Sequence, residues 1–167
     1  MPSVDDAASD TEQTANARRR ARELLAKLAA TVGEDQPKAP AALARAQAIV
    51  DILVTLTDDD DILGGALLLP LLEAEVITPE QAIETVSAPA NRIATELQRL
   101  GSLNISIPTS TGGRGAPALS SNQAEGLRKM LLAIVTDPRL VLVKLAAQLQ
   151  QLRDSKDAPA AERERLA

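Results

Sequence analysis

The side chains with the clearest chemical potential are the four consecutive aspartates Asp58–Asp61. A run of carboxylates can hold calcium, but an EF-hand loop needs alternating ligands, a central glycine and a glutamate at about its twelfth position. The residues that follow Asp61 are apolar instead. We therefore interpret the run as an exposed turn whose last residue, Asp61, caps the next helix.

Two further segments carry charge or glycine in patterns that could bind phosphate. Residues 18–22 contain an arginine cluster, but no aromatic residue accompanies it, and charge runs are usually solvated. Residues 112–115 are rich in glycine but lack the Gly-Lys-Ser/Thr ending of a phosphate-binding loop. We expect no direct nucleic-acid binding, and we interpret residues 102–121 as a flexible loop.

The composition removes most catalytic repertoires. The chain has no His, Cys, Phe, Trp or Tyr, so it lacks the commonest general base, the commonest metal ligand and any thiolate. Its 45% hydrophobic and 25% charged residues with a net charge of −5 are typical of a soluble globular protein without attraction to membranes. Residues 1–6 lack the apolar region of a signal peptide, so we expect a cytoplasmic protein.

The elements that must position these residues are helices. Apolar residues recur at helical spacing through most of the chain, which predicts an all-α bundle of about seven to eight helices within residues 11–157. The most apolar stretch, Ile62–Glu73, is interpreted as a buried central helix that Pro70 kinks. Near the C-terminus, a stripe of four leucines predicts the core-facing side of a helix: Leu142, Leu145, Leu149 and Leu152. Residues 1–10 are expected to be disordered, and residues 158–167 to begin a further helix.

Three stretches carry a resemblance to a known family. They are residues 49–53 with 65–70, residues 127–135 with 141–146, and residues 152–163. They resemble the N-terminal hydrolase-like domain of RelA/SpoT homologues, which make and degrade guanosine tetra- and pentaphosphate. The resemblance covers roughly residues 41–167 and implies an HD-domain fold.

The resemblance also implies where the family's chemistry would lie. Active members hold manganese with a His, a contiguous His-Asp pair and a later Asp, and these positions correspond here to Arg45, Leu69, Pro70 and Ala147. None of these side chains can bind a metal ion. The remaining hydrolase-site positions are Glu73, Ala74, Gln148, Gln150 and Gln151. No catalytic residue, metal ligand or cofactor is therefore expected.

This pattern is most similar to the RelA branch of the family. It implies an inactive regulatory domain of a guanosine tetraphosphate synthetase (a GTP pyrophosphokinase, ATP:GTP 3′-pyrophosphotransferase). The synthetase domain, expected beyond Ala167, would be its partner, and the ribosome would be contacted only through the full-length protein. A retained guanine-nucleotide pocket would have only Arg45, Lys129 and Lys144 as basic residues, which is weak support for such binding.

Two alternatives remain from the residues themselves. One is a residual hydrolase that uses Asp51, Glu73 and Glu75 with magnesium. The other is an unrelated helical interaction module, in which the aliphatic stripes serve packing alone.

Overall fold

A computed structural model describes residues 4–33, 35–102, 128 and 137–157 of the protein. This part of the chain is all-α, as predicted, and contains six helices: α1 (Val4–Val32), α2 (Ala39–Leu53), α3 (Asp60–Glu73), α4 (Pro79–Thr85), α5 (Ala88–Ser102) and α6 (Pro138–Asp157). The predicted loop, apart from Ser102 in α5, and the predicted helix start at residues 158–167 lie outside the described residues.

The first helix begins earlier than the sequence analysis expected. Residues 4–10, predicted to be disordered, form the first turns of α1. The sequence of this segment contains alanine, which has a high helix propensity. At its other end α1 stops at Val32, and Gly33 follows with a φ of 80°, the left-handed conformation that glycine adopts readily.

Helix α3 is the centre of the bundle, as the sequence predicted. Every residue from Ile62 to Leu72 is buried, and α3 contacts α1, α2, α5 and α6. Its N-cap is Asp59, whose carboxylate accepts hydrogen bonds from the backbone N–H groups of Asp61 and Ile62 at 2.9 and 3.2 Å. The prediction that Asp61 is the cap is therefore wrong.

Two glycines let α5 approach α3 closely. A Cβ atom on Gly65 would lie 2.8 Å from Cγ2 of Ile93 and 3.2 Å from the carbonyl oxygen of Ala90. A Cβ on Gly64 would lie 2.7 Å from Cγ1 of Val86. Larger residues at either position would push the two helices apart.

Helix α6 packs on α2, α3 and α5 by a different face from the predicted one. Its buried residues are Leu140, Val143, Ala146 and Ala147, whereas three leucines of the predicted core stripe are exposed: Leu145, Leu149 and Leu152. The spacing of the leucines correctly predicted a helix, but α6 is apolar on two sides. The smaller side chains at positions 143, 146 and 147 permit the closer approach to its neighbours.

Within the described residues, no helix is long and apolar enough to cross a membrane.

Candidate functional site

The positions that the resemblance assigns to the hydrolase site lie on three helices that contact one another. Arg45 belongs to α2, Leu69, Pro70 and Glu73 belong to α3, and Ala74 follows α3 directly. Helix α6 carries the remaining four, Ala147, Gln148, Gln150 and Gln151. Helices α2, α3 and α6 make contacts in all three pairings, so the assigned positions lie on helices that pack against one another.

An ion pair joins two of these positions directly. Nη1 of Arg45 donates to Oε2 of Glu73 at 3.2 Å, with 40% and 35% of the two side chains exposed. The two residues lie at equal distances in sequence on either side of Asp59, in the turn between α2 and α3. This symmetry is what an antiparallel helix pair produces. At this exposure the ion pair contributes at most about 1 kcal/mol to stability.

The ion pair gives the Glu73 carboxylate a cationic partner within the protein. A guanidinium ion already neutralises its carboxylate and holds one of the oxygens that a cation would use. Arg45 itself offers five donors and no lone pair, so it cannot ligate a metal.

Leu69 and Pro70 lie one turn before Glu73 on the same side of α3. Residues three and four apart on a helix are neighbours, which places both positions close to the side of α3 that meets Arg45. Both residues are buried, Leu69 with 3% exposure. Pro70 has no N–H, so α3 lacks the backbone hydrogen bond to the carbonyl of Ala66. The helix nevertheless continues to Glu73, and the N–H of Ala74 donates to the carbonyl of Pro70 at 3.0 Å.

The four α6 positions divide into an inner and an outer group. Ala147 is buried in the core with 6% exposure. Gln148 and Gln151 are exposed, and Nε2 of Gln150 donates to Oδ1 of Asp154 on its own helix at 2.7 Å. The glutamines therefore do not join the Arg45–Glu73 pair.

The carboxylates of the magnesium alternative do not form a metal site in this part of the chain. Asp51 is exposed and accepts from Nε2 of Gln47 at 2.9 Å, while Glu75 is exposed with a φ of 59°. Among the described residues, no group of three or more His, Cys, Asp or Glu side chains could hold a metal ion.

The acidic turn is occupied by structural contacts. Besides the Asp59 cap, Asp60 accepts from Nε of Arg20 at 2.8 Å, and Asp61 accepts from Oγ of Ser87 at 3.0 Å. Ser87 in turn accepts from the N–H of Ala90, which caps the start of α5. The turn thus connects α1, α3 and α5, a role that the sequence analysis missed because each partner is distant in sequence.

A second charged cluster begins α6. Asp137 accepts from Nε and Nη2 of Arg139 and from the Arg139 backbone N–H, each at 3.0 Å. These hydrogen bonds hold the pKa of Asp137 below its usual value. They also raise the pKa of Arg139.

Comparison with known proteins relates the chain to a family and to named relatives. The HD domain family matches residues 21–167. The chain is 35% identical over 130 residues to the GTP pyrophosphokinase of Escherichia coli strain K12, which is 78% of this chain and 17% of that protein. It is also 35% identical over 125 residues to the GTP pyrophosphokinase of Photobacterium angustum, covering 75% of this chain and 16% of that protein.

The chain therefore matches about a sixth of the length of these curated relatives. The similarity confirms the resemblance to RelA/SpoT homologues on which the sequence analysis relied, and with it the HD-type helical fold. No solved structure matches the chain.

Proposed function

The chain belongs to the HD domain family, and from this premise we propose that it is the regulatory domain of a RelA-type GTP pyrophosphokinase, without hydrolase activity of its own. The relatives that it resembles carry the name GTP pyrophosphokinase. In the proposed arrangement, synthesis belongs to a different part of a longer protein, and this domain contacts the synthetase domain and modulates it.

The observation that carries the proposal is the Arg45–Glu73 ion pair, with a nitrogen–oxygen distance of 3.2 Å. By resemblance, Arg45 stands where an active member has its first histidine ligand, and Glu73 where a carboxylate follows the His-Asp pair. The guanidinium of Arg45 places positive charge beside this carboxylate without a metal ion. Leu69, Pro70 and Ala147, at the other ligand positions, are buried and have no side-chain donor.

Metal-dependent hydrolysis needs an ion that lowers the pKa of a bound water and holds it against the substrate. The side chains at the assigned positions do not fit manganese, because Glu73 alone offers a carboxylate and Arg45 occupies it. The resemblance therefore supports an inherited fold and does not support the inherited reaction.

The direct test is hydrolysis of guanosine tetraphosphate by the purified chain with added Mn²⁺. We expect no pyrophosphate release above the protein-free background, and no heat when Mn²⁺ is titrated into the protein. Manganese-dependent turnover that is lost in both the Glu73→Gln and the Asp51→Asn variants would favour the alternative carboxylate cluster. Any manganese-dependent turnover refutes the proposal.

A ligand-restoration experiment tests whether the assigned positions are the right ones. The variant with Arg45→His, Leu69→His, Pro70→Asp and Ala147→Asp presents four metal donors from α2, α3 and α6. We expect its Tm to fall in EDTA, because unpaired polar groups become buried, and to rise on adding Mn²⁺, because the ion binds only the folded state. The matched control keeps Ala147, and its Tm should respond far less to Mn²⁺. An equal response in both variants would show that Ala147 is not at the site.

A further inference from the structure

In the part of the chain that the structure describes, helix α6 has an exposed apolar surface, which we call the leucine face: Leu145, Leu149 and Leu152. Their exposed fractions are 61%, 41% and 57%. Successive residues on a helix are about 100° apart, so these three side chains project within a sector of about 60° over about 10 Å of helix. Val143 and Ala147, which are buried, lie on the opposite side.

Such a helix is unusual on a protein surface. Single exposed leucines are common, but a helix that is apolar on opposite sides is normally covered on both. Three exposed leucines on consecutive turns form a contiguous apolar strip, which is typical of a protein-binding site.

The charges that border the leucine face indicate the chemistry of its partner. Lys144 lies along one edge and Arg153 along the other, by their helical positions. The sequence contains no acidic residue between Asp137 and Asp154. Within the described part of the chain, neither Lys144 nor Arg153 makes a hydrogen bond or ion pair. The leucine face is thus apolar, and its positive edges have no partner among the residues that the structure describes.

We propose that the leucine face binds an amphipathic helix of a partner protein whose apolar stripe is edged by Asp or Glu. The partner's apolar side chains would pack between the three leucines, and its carboxylates would pair with Lys144 and Arg153. A second copy of this chain fits less well. Antiparallel pairing of two α6 helices about Leu149 would bring Arg153 of one copy towards Lys144 of the other, which is a like-charge contact.

This inference goes beyond the proposed function, because it holds whether or not the domain retains metal chemistry. Its test leaves the hydrolase positions intact, so the two proposals can fail separately.

The test uses the 167-residue chain and a designed fluorescent peptide of about three heptads, with Leu at positions a and d and Glu at e and g. Fluorescence anisotropy should show saturable binding. Leu145→Asp should weaken it about tenfold or more, since a lost apolar anchor of about 1.4 kcal/mol changes the affinity tenfold. The matched control is Leu56→Asp, because Leu56 is 66% exposed but lies outside α6, and it should leave binding unchanged.

Charge reversal gives the sharper readout. A second peptide with Lys at e and g should bind the unmodified chain more weakly than the Glu peptide. In the Lys144→Glu, Arg153→Glu variant this preference should reverse. A merely sticky surface would bind both peptides alike in both proteins.

Three results would overturn the proposal. The first is absence of binding by either peptide. The second is a dimer, seen by sedimentation, that Leu145→Asp dissociates, which would make the leucine face a contact between copies. The third is a Tm decrease in Leu145→Asp as large as that in the core variant Val143→Asp, which would show that the chain covers this face itself.

Discussion

The close contact between α3 and α5 makes a quantitative prediction for Gly65→Ala. The new methyl group would lie 2.8 Å from Cγ2 and 3.0 Å from Cβ of Ile93, and 3.2 Å from the carbonyl oxygen of Ala90. Ile93 is β-branched and buried, so it cannot rotate away, and the Ala90 oxygen belongs to the backbone. The helices must therefore separate slightly.

The expected change in the free energy of unfolding of Gly65→Ala is the difference between two opposing effects. Overpacking of this kind costs about 1–3 kcal/mol, and the rigid neighbours place this site at the upper end. Replacing glycine by alanine within a helix returns about 1 kcal/mol. The net loss is about 1–2 kcal/mol, which corresponds to a Tm decrease of about 2–8 °C for a chain of this length.

Thermal unfolding monitored by circular dichroism at 222 nm measures this change. The control is Gly101→Ala, since a Cβ there would meet nothing within 4 Å, and its Tm should stay constant or rise slightly. Gly64→Ala should be destabilising for the same reason as Gly65→Ala. In Gly64→Ala combined with Val86→Ala, the closest contact, 2.7 Å, is removed, so the two losses should be less than additive. A Gly65→Ala protein at least as stable as the unmodified chain would refute the proposed close packing.

Two further predictions concern charged pairs. Asp137 has a lowered pKa in the folded state, so its ionisation stabilises the fold above about pH 3.9, the value for an unfolded chain, and this contribution disappears as the pH falls through the folded value. Asp137→Asn should therefore lower the Tm at pH 7 and flatten its decline in acid, whereas an unchanged acid profile would contradict the role of the Arg139 contact. For Arg45 and Glu73, each single reversal (Arg45→Glu or Glu73→Arg) should lower the Tm slightly, and the double reversal should recover about 0.2–1 kcal/mol of the loss. If the stability losses of the two single variants simply add in the double variant, the pair does not form in solution.

Local signals in the sequence account for three of the helix boundaries. Thr78 caps α4 in a capping box with Gln81, Gly33 ends α1, and Asp137 begins α6, each as expected from residue type. These features depend on neighbours within a few residues. The choice between Asp59 and Asp61 as the cap of α3 was decided by a distant contact, because Asp61 accepts a hydrogen bond from Ser87 on the way to α5.

The orientation of α6 could not be predicted, because its sequence has two apolar faces. Leu142, Leu145, Leu149 and Leu152 form the more hydrophobic stripe, yet Val143, Ala146 and Ala147 fit the space beside α2 and α3. Periodicity identifies a helix but does not select among its apolar faces, since that selection depends on the shape of the neighbouring helices.

At the candidate site too, the sequence predicted positions but not the contact between them. Aligned motifs supplied the positions of Arg45 and Glu73, but only the packing of α2 on α3 places the guanidinium against the carboxylate. Their equal spacing about Asp59 was a usable signal, because an antiparallel helix pair brings such residues together.

The proposed loss of hydrolysis also explains how the fold can remain stable without a metal. Buried histidine and aspartate side chains are tolerated when an ion pairs with them, and they become costly when it is absent. Leu69, Pro70 and Ala147 bury only apolar atoms at the corresponding positions. The one retained carboxylate, Glu73, lies at the partly exposed edge, where Arg45 and water both reach it. Under this proposal, a side chain without a metal donor at each of these positions removes a dependence on the ion, so the domain would keep the contacts among α2, α3 and α6 without the hydrolase chemistry.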